Sequence, residues 1–406
     1  MLARIKKSTA SGMIAAPPSK SMSHRLLIAA GLAQGVSVIS GIAMSEDVSA
    51  TMDALRAFGA EVGISGDTVT VRGADISKAV VQSPINCRES GSTLRFFIPI
   101  AMTRNDEISF TGYGRLMSRP MEIYEGIANK QGLLFENDGK AINVRGPLES
   151  GIYEVQGNIS SQFISGLIFA LPLLDGDSEI KMIPPVESRP YIDMTLKAVS
   201  EFGIKYKADG DTIAIPGGQR YLPADICVES DYSNAAFLDA FNLIGGSVEV
   251  TGLSENSLQG DRIYKELFSS LASCRDGKFT ADISQCPDLG PILMGTLAMC
   301  GGGKLTGTRR LRIKESDRAE AMRNELSKFG IDLTVKENEI TVHSGKLRRP
   351  ETVLDTHNDH RIAMTLAVLC SSVGGDIDNC QVVNKSYASF WRDIISLGIE
   401  AELTDD

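Results

Sequence analysis

The sequence is poor in aromatic residues, in paired cysteines and in net positive charge. Aromatics make up 6% of its 406 residues, with a single tryptophan, Trp391, whereas glycines number 39 and point to many turns. Acidic residues outnumber Lys and Arg 51 to 41, a net charge of −10. That sign argues against a nucleic-acid partner, which calls for a basic face. The 7 cysteines are odd in number, with no Cys-x-x-Cys pair. Most lie in or beside apolar runs, which suits reduced, buried thiols in a cytosol. After Arg4, Lys6 and Lys7 the apolar stretch is broken by Pro17 and Pro18, unlike a signal peptide. No run approaches the roughly 20 apolar residues that span a bilayer. A soluble, cytoplasmic globular protein of two or three domains, each with its own core, is the expectation.

What is present is a repeat. One recurring segment is an amphipathic helix that stops at Gly and passes into a strand: 51–62, 193–206, 319–333 and 393–403, with weaker copies at 122–135 and 263–273. The other is an almost wholly apolar helix opened by a polar cluster. The openings are SKSMSHR at 19–25, ESGSTLR at 89–95, NISSQF at 158–163, SDYSNA at 230–235, CPDLGP at 286–291 and NDHR at 358–361. They recur about every 70 residues, with one shorter interval between the fourth and fifth. Helices apolar all round are buried. Intervening stretches such as 67–73, 139–148 and 211–217 alternate like strands. Six copies imply three-around-an-axis packing done twice: a first domain over 19–228, and a second over 229–406 together with 1–18. The Pro17–Pro18 step and the segment near Glu229 would be the two chain crossings. Helix starts attract anions, so six of them turned to one cleft would form an anion site despite the net charge.

The stretch RIKESDR at 312–318 sets Arg312, Lys314 and Arg318 among Glu315 and Asp317. Asp317 and Glu320 read as a capping box for a helix that runs to Gly330. Lys314 and Glu315 would lie on an extended lead-in, with Arg318 in the first turn. Taken alone, such a cluster is most simply a solvated helix start. The openings and their neighbouring loops change that reading. They add Lys20, Ser21, Arg25, Arg115, Arg119, Ser160, Ser161, Gln162, Ser188, Arg189, Tyr191, Asp288, Asp359, His360, Arg361 and Lys385. Many cations around a few acids suit a substrate bearing several carboxylates and phosphates.

PPSKSMSHR, GSTLR, TGYGRLMSRP, ISSQF, VESRPYID, RIKESDR and NDHRIAM stand in the order and spacing of the 5-enolpyruvylshikimate-3-phosphate synthase family, and the chain closely resembles that family over essentially its whole length. The resemblance implies two inside-out α/β domains, each of three βαβαββ repeats, with the active site in the interdomain cleft. It implies transfer of the enolpyruvyl group of phosphoenolpyruvate to the 5-hydroxyl of shikimate 3-phosphate, with release of phosphate and no metal or organic cofactor. Lys20, Ser21, Arg25, Ser160, Ser161, Gln162, Ser188, Asp288 and Lys314 would hold shikimate 3-phosphate. Lys20, Gly91, Arg119, Gln162, Arg318, Arg361 and Lys385 would hold phosphoenolpyruvate. Asp288 would accept a proton, Glu315 would donate one, and Lys20 would touch both substrates. The partners implied are these two small molecules, acting on a monomer.

The two substrates carry about six negative charges near neutral pH, counting close to two for each phosphate. Bringing them into contact is strongly repulsive without a dense cation lining. Glu315, set among cations, would tend to ionise, so its acid role calls for desolvation or relay from Lys385 or His360. The chain departs from the family at Glu89, where Asn is usual, at Arg310, often Asn, and at Ala388, usually Pro. Gly91 is retained, which implies sensitivity to glyphosate. GGGKL at 301–305 reads as a helix stop rather than a phosphate loop. His357 and His360 lack a third metal ligand at recognisable spacing, His24 reads as a helix-start residue, and Met294, Met299 and Met364 as core filling. The sister UDP-N-acetylglucosamine enolpyruvyl transferases carry a reactive Cys on the loop matching TGYGRLMSRPM, where this chain has none. A non-catalytic relative is the other alternative, disfavoured by the retained Lys20, Asp288, Glu315 and Arg361.

Overall fold

The computed structural model describes residues 1–274 and 277–405. The chain divides into two compact units, residues 18–229 and residues 1–17 with 230–406. Each has its own apolar core.

In the unit of residues 18–229 the architecture repeats three times. A strand leads into a buried helix, a parallel strand follows, then a half-exposed helix and an antiparallel hairpin. One sheet orders Ile85–Asn86, Ile108–Thr111, Ala141–Arg145 and Leu134–Asn137; the next orders Ile152–Gln156, Ser178–Ile183, Thr212–Ile215 and Lys207–Asp209. The first sheet, Val36–Ser40 with Thr68–Arg72 and Glu61–Ser65, has no leading strand of its own. It borrows Asp225–Cys227 from the end of the unit, paired parallel to Val36–Ser40, which closes the three repeats on themselves. The buried helices Lys20–Leu32, Gly91–Ala101 and Ser161–Ala170 lie inside, in contact with each other or with the helices Glu46–Ala57 and Arg189–Glu201. Leu26, Leu27, Ile28, Phe97, Ile98, Ile164 and Leu167 are buried to within 1%. Each such side chain contributes about 1.5–3 kcal/mol by leaving water.

The second unit follows the same plan with one departure. Thr280–Asp282, Gly303–Thr306, Glu339–Val342 and Leu333–Val335 form a sheet of the same order. Gly375–Ile377, Leu2–Ile5 and Ala401–Thr404 form another, so the N-terminal strand completes the last repeat. The fourth repeat is cut short: Ser247–Thr251 pairs only with Ser11–Ala15, and no hairpin follows it among the described residues. That omission accounts for the short interval in the sequence. The buried helices here are Tyr232–Asp239, Gly290–Met299 and His360–Val373.

Helix ends follow local chemistry. Gly59, Gly132, Gly203, Gly330 and Gly398 all have positive φ, from 69° to 97°, just past helix C-termini, a conformation that costs residues with a Cβ. GGGKL is a helix stop that turns into the strand Gly303–Thr306. Cys227 is exposed and Cys274 half-buried, while the other five free cysteines are buried. Among the described residues no helix is long and apolar enough to cross a membrane.

Candidate active site

Every buried helix but one opens on a polar side chain that caps it. Ser19, Ser90, Ser160, Asp231 and Asp359 each accept from a backbone N–H in the first turn. The exception, Gly290–Met299, is entered through the short 3-10 turn Pro287–Leu289, which carries Asp288. Side chains that follow the caps therefore start from a positive helix end.

In the unit of residues 18–229, Lys20 donates to Asp47 at 2.9 Å. Ser21 follows in the first turn. Arg25, one turn on, is 2% exposed. Its guanidinium donates to Thr195 Oγ1 at 2.8 Å, the Ser21 carbonyl at 2.8 Å and the Tyr191 carbonyl at 2.9 Å, and lies over the Phe96 ring. Burial lowers its pKa to about 10, so it stays cationic at neutral pH. Gly91 marks a close approach. A Cβ there would lie 2.6 Å from an Arg119 guanidinium nitrogen and 3.6 Å from Gln162 Oε1. Gln162 is held from both ends: Oε1 accepts from Arg95 at 2.7 Å and Nε2 donates to Ser92 at 3.0 Å. Ser160 and Ser161 are buried beside it. Ser188, fully buried, has the left-handed backbone φ 55°, ψ 39° at the start of the helix Arg189–Glu201. That conformation costs a non-glycine residue of order 1–3 kcal/mol and persists only where its surroundings over-determine it.

Gly91, Arg95, Arg119 and Gln162 of the second and third repeats thus stand together, and Arg25 of the first reaches Thr195 and Tyr191 of the third. Arg115 is exposed, and Arg189 donates to Asp193 at 2.9 Å and to the Gly210 carbonyl at 2.8 Å. Arg95 was the omission. It holds Gln162 and the Pro120 carbonyl, next to Arg119. The signal for it was a cation one turn past Gly91 in an otherwise apolar helix. His24 is not at the helix start but in the buried body, sharing a 2.7 Å hydrogen bond with Thr51. Desolvation chiefly, then Lys20 and Arg25, hold its imidazole pKa well below 6.5.

In the second unit the charges meet directly. Asp288 Oδ1 accepts from Arg318 at 2.9 Å and faces Lys314 Nζ at 3.3 Å, while Oδ2 accepts from Arg361 at 3.0 Å. Arg318 is 1% exposed and spreads its fork over Asp359 at 2.8 Å, Glu315 at 2.7 Å and Asp288. Arg361 also reaches Ser233 Oγ at 2.5 Å. Lys385 donates to the Asn358 carbonyl at 2.8 Å. Burial by itself raises the Asp288 pKa, but Arg361, Lys314 and Arg318 outweigh it and hold the carboxyl well below its usual range. Burial pulls Lys314 down, while Asp288 supports its charge.

The helix capped by Asp317 runs Arg318–Lys328, and Arg318 is in its first turn. The lead-in is less extended than the charges suggest. A 3-10 turn, Arg309–Ile313, precedes it, and only Lys314 is extended before a bend. Arg312 is thereby turned to the Lys336 carbonyl at 3.0 Å, away from Asp288. His357 pairs with Glu325, and among the described residues no group of three or more His, Cys, Asp or Glu is placed to hold a metal.

One unit thus has helix starts that present hydroxyls, an amide and guanidinium groups, and the other a carboxylate ringed by three cations; each is chemistry suited to compact anions and proton transfer. The comparisons with known proteins narrow that chemistry. The family model "EPSP synthase (3-phosphoshikimate 1-carboxyvinyltransferase)" matches residues 5–394. The 3-phosphoshikimate 1-carboxyvinyltransferases of Clostridium kluyveri and Clostridium novyi are each 38% identical, over 96% and 97% of both chains respectively. An EPSP synthase structure from Acinetobacter baumannii superposes over 100% of both chains with a TM-score of 0.80 at 23% identity. An enolpyruvyl transferase from Streptomyces tendae covers 99% of this chain and 98% of its own, with a TM-score of 0.77 at 16% identity. The chain belongs to the EPSP synthase family, and its fold is that family's inside-out α/β architecture.

Proposed function

We propose that the protein transfers the enolpyruvyl group of phosphoenolpyruvate to the 5-hydroxyl of shikimate 3-phosphate and releases phosphate. The observation that carries this reading is Asp288, a carboxylate kept ionised by Lys314, Arg318 and Arg361. Such a group can receive a hydroxyl proton only when the cations around it find other anions. Arriving phosphate and carboxylate groups are those anions. As they draw Lys314, Arg318 and Arg361 toward themselves, the hold on Asp288 loosens and its basicity rises.

Glu315 is linked to the same event. It accepts from Arg318 at 2.7 Å, a bond for which the donor substrate competes when it occupies that guanidinium. Protonating the enol methylene makes C2 electrophilic. The acceptor hydroxyl then adds to C2 as Asp288 takes its proton; phosphate leaves the tetrahedral intermediate while the new methyl group gives a proton back to Glu315, which restores the enol double bond. Arg119, Gln162, Arg318, Arg361 and Lys385, with Gly91 leaving the room, are assigned to the donor. Ser21, Arg25, Ser160, Ser161, Ser188 and Lys314 are assigned to the acceptor, Gln162 and Lys20 to both.

The unit of residues 18–229 and its counterpart would act as two three-repeat domains, with the crossings at 17–18 and 229–230 as hinge. A monomeric, cytoplasmic enzyme inhibited by glyphosate completes the reading. Phosphate release with both substrates, with and without glyphosate, tests it. Release only with UDP-N-acetylglucosamine as acceptor would transfer the protein to the sister activity. No release with either would leave a non-catalytic relative, and millimolar glyphosate tolerance at low phosphoenolpyruvate would sink the inhibitor assignment alone.

A further inference from the structure

Two turns beyond Arg318 on the same helix stands Glu325, 1% exposed. Both of its oxygens are engaged. Oε2 accepts from the Asp355 N–H at 3.0 Å and from Lys328 Nζ at 2.8 Å, and Oε1 shares a 3.0 Å hydrogen bond with His357 Nε2. Lys328 also donates to the Val353 carbonyl at 3.2 Å. One buried acid, with its neighbouring lysine, therefore ties residues 353–357 to the helix at three points.

That segment needs the restraint. His357 and Asn358 are consecutive non-glycine residues in the left-handed region, with φ of 50° and 56°. Such a pair persists only where the surroundings over-determine it. What it leads into is the charged network. The Asn358 carbonyl accepts from Lys385, Asp359 holds Arg318 and caps the helix His360–Val373, and Arg361 follows in its first turn.

We propose that Glu325 and His357 are a positioning pair for donor binding: they set the backbone of residues 357–359, and through it Lys385 and Arg361, and donor affinity falls as His357 loses its proton. The inference rests on the assignment of Lys385 and Arg361 to phosphoenolpyruvate made above. A protonated imidazole gives Glu325 a charge-assisted bond, and a neutral one a weaker bond. The charged groups facing His357 are Glu325 and Lys328 from the helix and Asp355 from its own segment, 4.0 Å from Nδ1. The hydrogen bond to Glu325 and the nearby Asp355 outweigh burial and Lys328, and raise the imidazole pKa above its ordinary 6.5. The sequence marked His357 only as half of a weak metal pair.

The test compares wild type, Glu325→Gln and His357→Gln in the phosphate-release assay from pH 6 to 9, with thermal midpoints measured alongside. Both variants are expected to raise the KM for phosphoenolpyruvate about five- to twentyfold at pH 6.5, with the KM for shikimate 3-phosphate changed less than twofold. In wild type the donor KM climbs with pH above 6.5. In His357→Gln the ratio to wild type shrinks toward one at high pH, because substrate ionisation is common to both proteins and cancels. Lowered thermal midpoints with an unchanged donor KM and unchanged pH profile would overturn the proposal, leaving Glu325 a purely structural acid. Wild type without turnover would overturn the donor assignment, and this role with it. Should Glu325→Gln fail to fold, the half-exposed His357→Gln carries the comparison by itself.

Discussion

The two units solve one problem, keeping cations in a low-dielectric place, by opposite means. In residues 18–229, Arg25 and Arg95 are held by hydroxyls, backbone carbonyls and an amide oxygen, and by the ring faces of Phe96 and Phe163. In the other unit, Lys314, Arg318 and Arg361 are held by the carboxylates of Asp288, Glu315 and Asp359. Neutral partners leave the positive charge in place for a ligand. Carboxylate partners cancel it until a stronger anion arrives. The first arrangement suits a preformed seat, the second a site whose acid–base character changes on binding. Lys20 with Asp47 is an ion pair of the second type within the first unit.

The largest expected effect breaks the second arrangement. Asp288→Asn should lower kcat by about 10²–10⁴, read as phosphate release at saturating substrates; turnover equal to wild type would remove Asp288 from proton transfer. Next comes stability. Arg318→Met strands carboxylates at a site 1% exposed, and guanidinium unfolding should show a loss of about 3–5 kcal/mol. Arg25→Met leaves only neutral acceptors behind and should cost less, about 1–3 kcal/mol. Equal losses would erase the contrast between the units.

Gly91→Ala acts on the first arrangement without changing charge. Its Cβ would meet an Arg119 nitrogen at 2.6 Å, and the flexible guanidinium can yield. The donor KM should therefore rise about tenfold, roughly 1.4 kcal/mol, while the acceptor KM holds and glyphosate inhibits less. An unaltered donor KM would place Arg119 outside the donor site.

The smallest effects are of pH, and the units differ in sign. His24 is neutral when folded, its pKa pushed below 6.5 by burial first. The unfolded chain takes up a proton that the folded one refuses, so stability falls as pH drops below 6.5, by at most about 1.4 kcal/mol per unit. His357 has a raised pKa, chiefly through Glu325. Its contribution is full below 6.5 and fades as pH rises through the folded value. Urea midpoints of His24→Asn and His357→Gln between pH 5.5 and 8.5 should deviate from wild type in opposite directions. Deviations of the same sign would refute one of the two assignments.

Much of this was legible because the cues are local. Caps at Ser19, Ser90, Ser160, Asp317 and Asp359, glycine stops at Gly59, Gly203 and Gly330, and apolar helix bodies are written within a few residues of where they act. The interval shortened by the missing hairpin was visible as a number and had no reason until the sheets were seen. The direction of side chains was harder. Arg115, Arg189 and Arg312 carry the same charge and motif context as Arg119, Arg25 and Arg318, yet Arg115 is exposed, Arg189 donates to Asp193 and Arg312 to the Lys336 carbonyl. Arg95 reads as an interruption of an apolar helix and acts as the support for Gln162.

By itself the sequence determined the repeat, the buried helices, the polar starts and the family, because periodicity, capping and motif spacing are properties of neighbouring residues. Only the tertiary structure decided which cations are neutralised. Asp288, Arg318 and Arg361 are joined across 30 and 73 residues of chain, and Arg25 meets Thr195 across 170. Charge and burial compete at those meetings, and their balance depends on distances that no local pattern encodes.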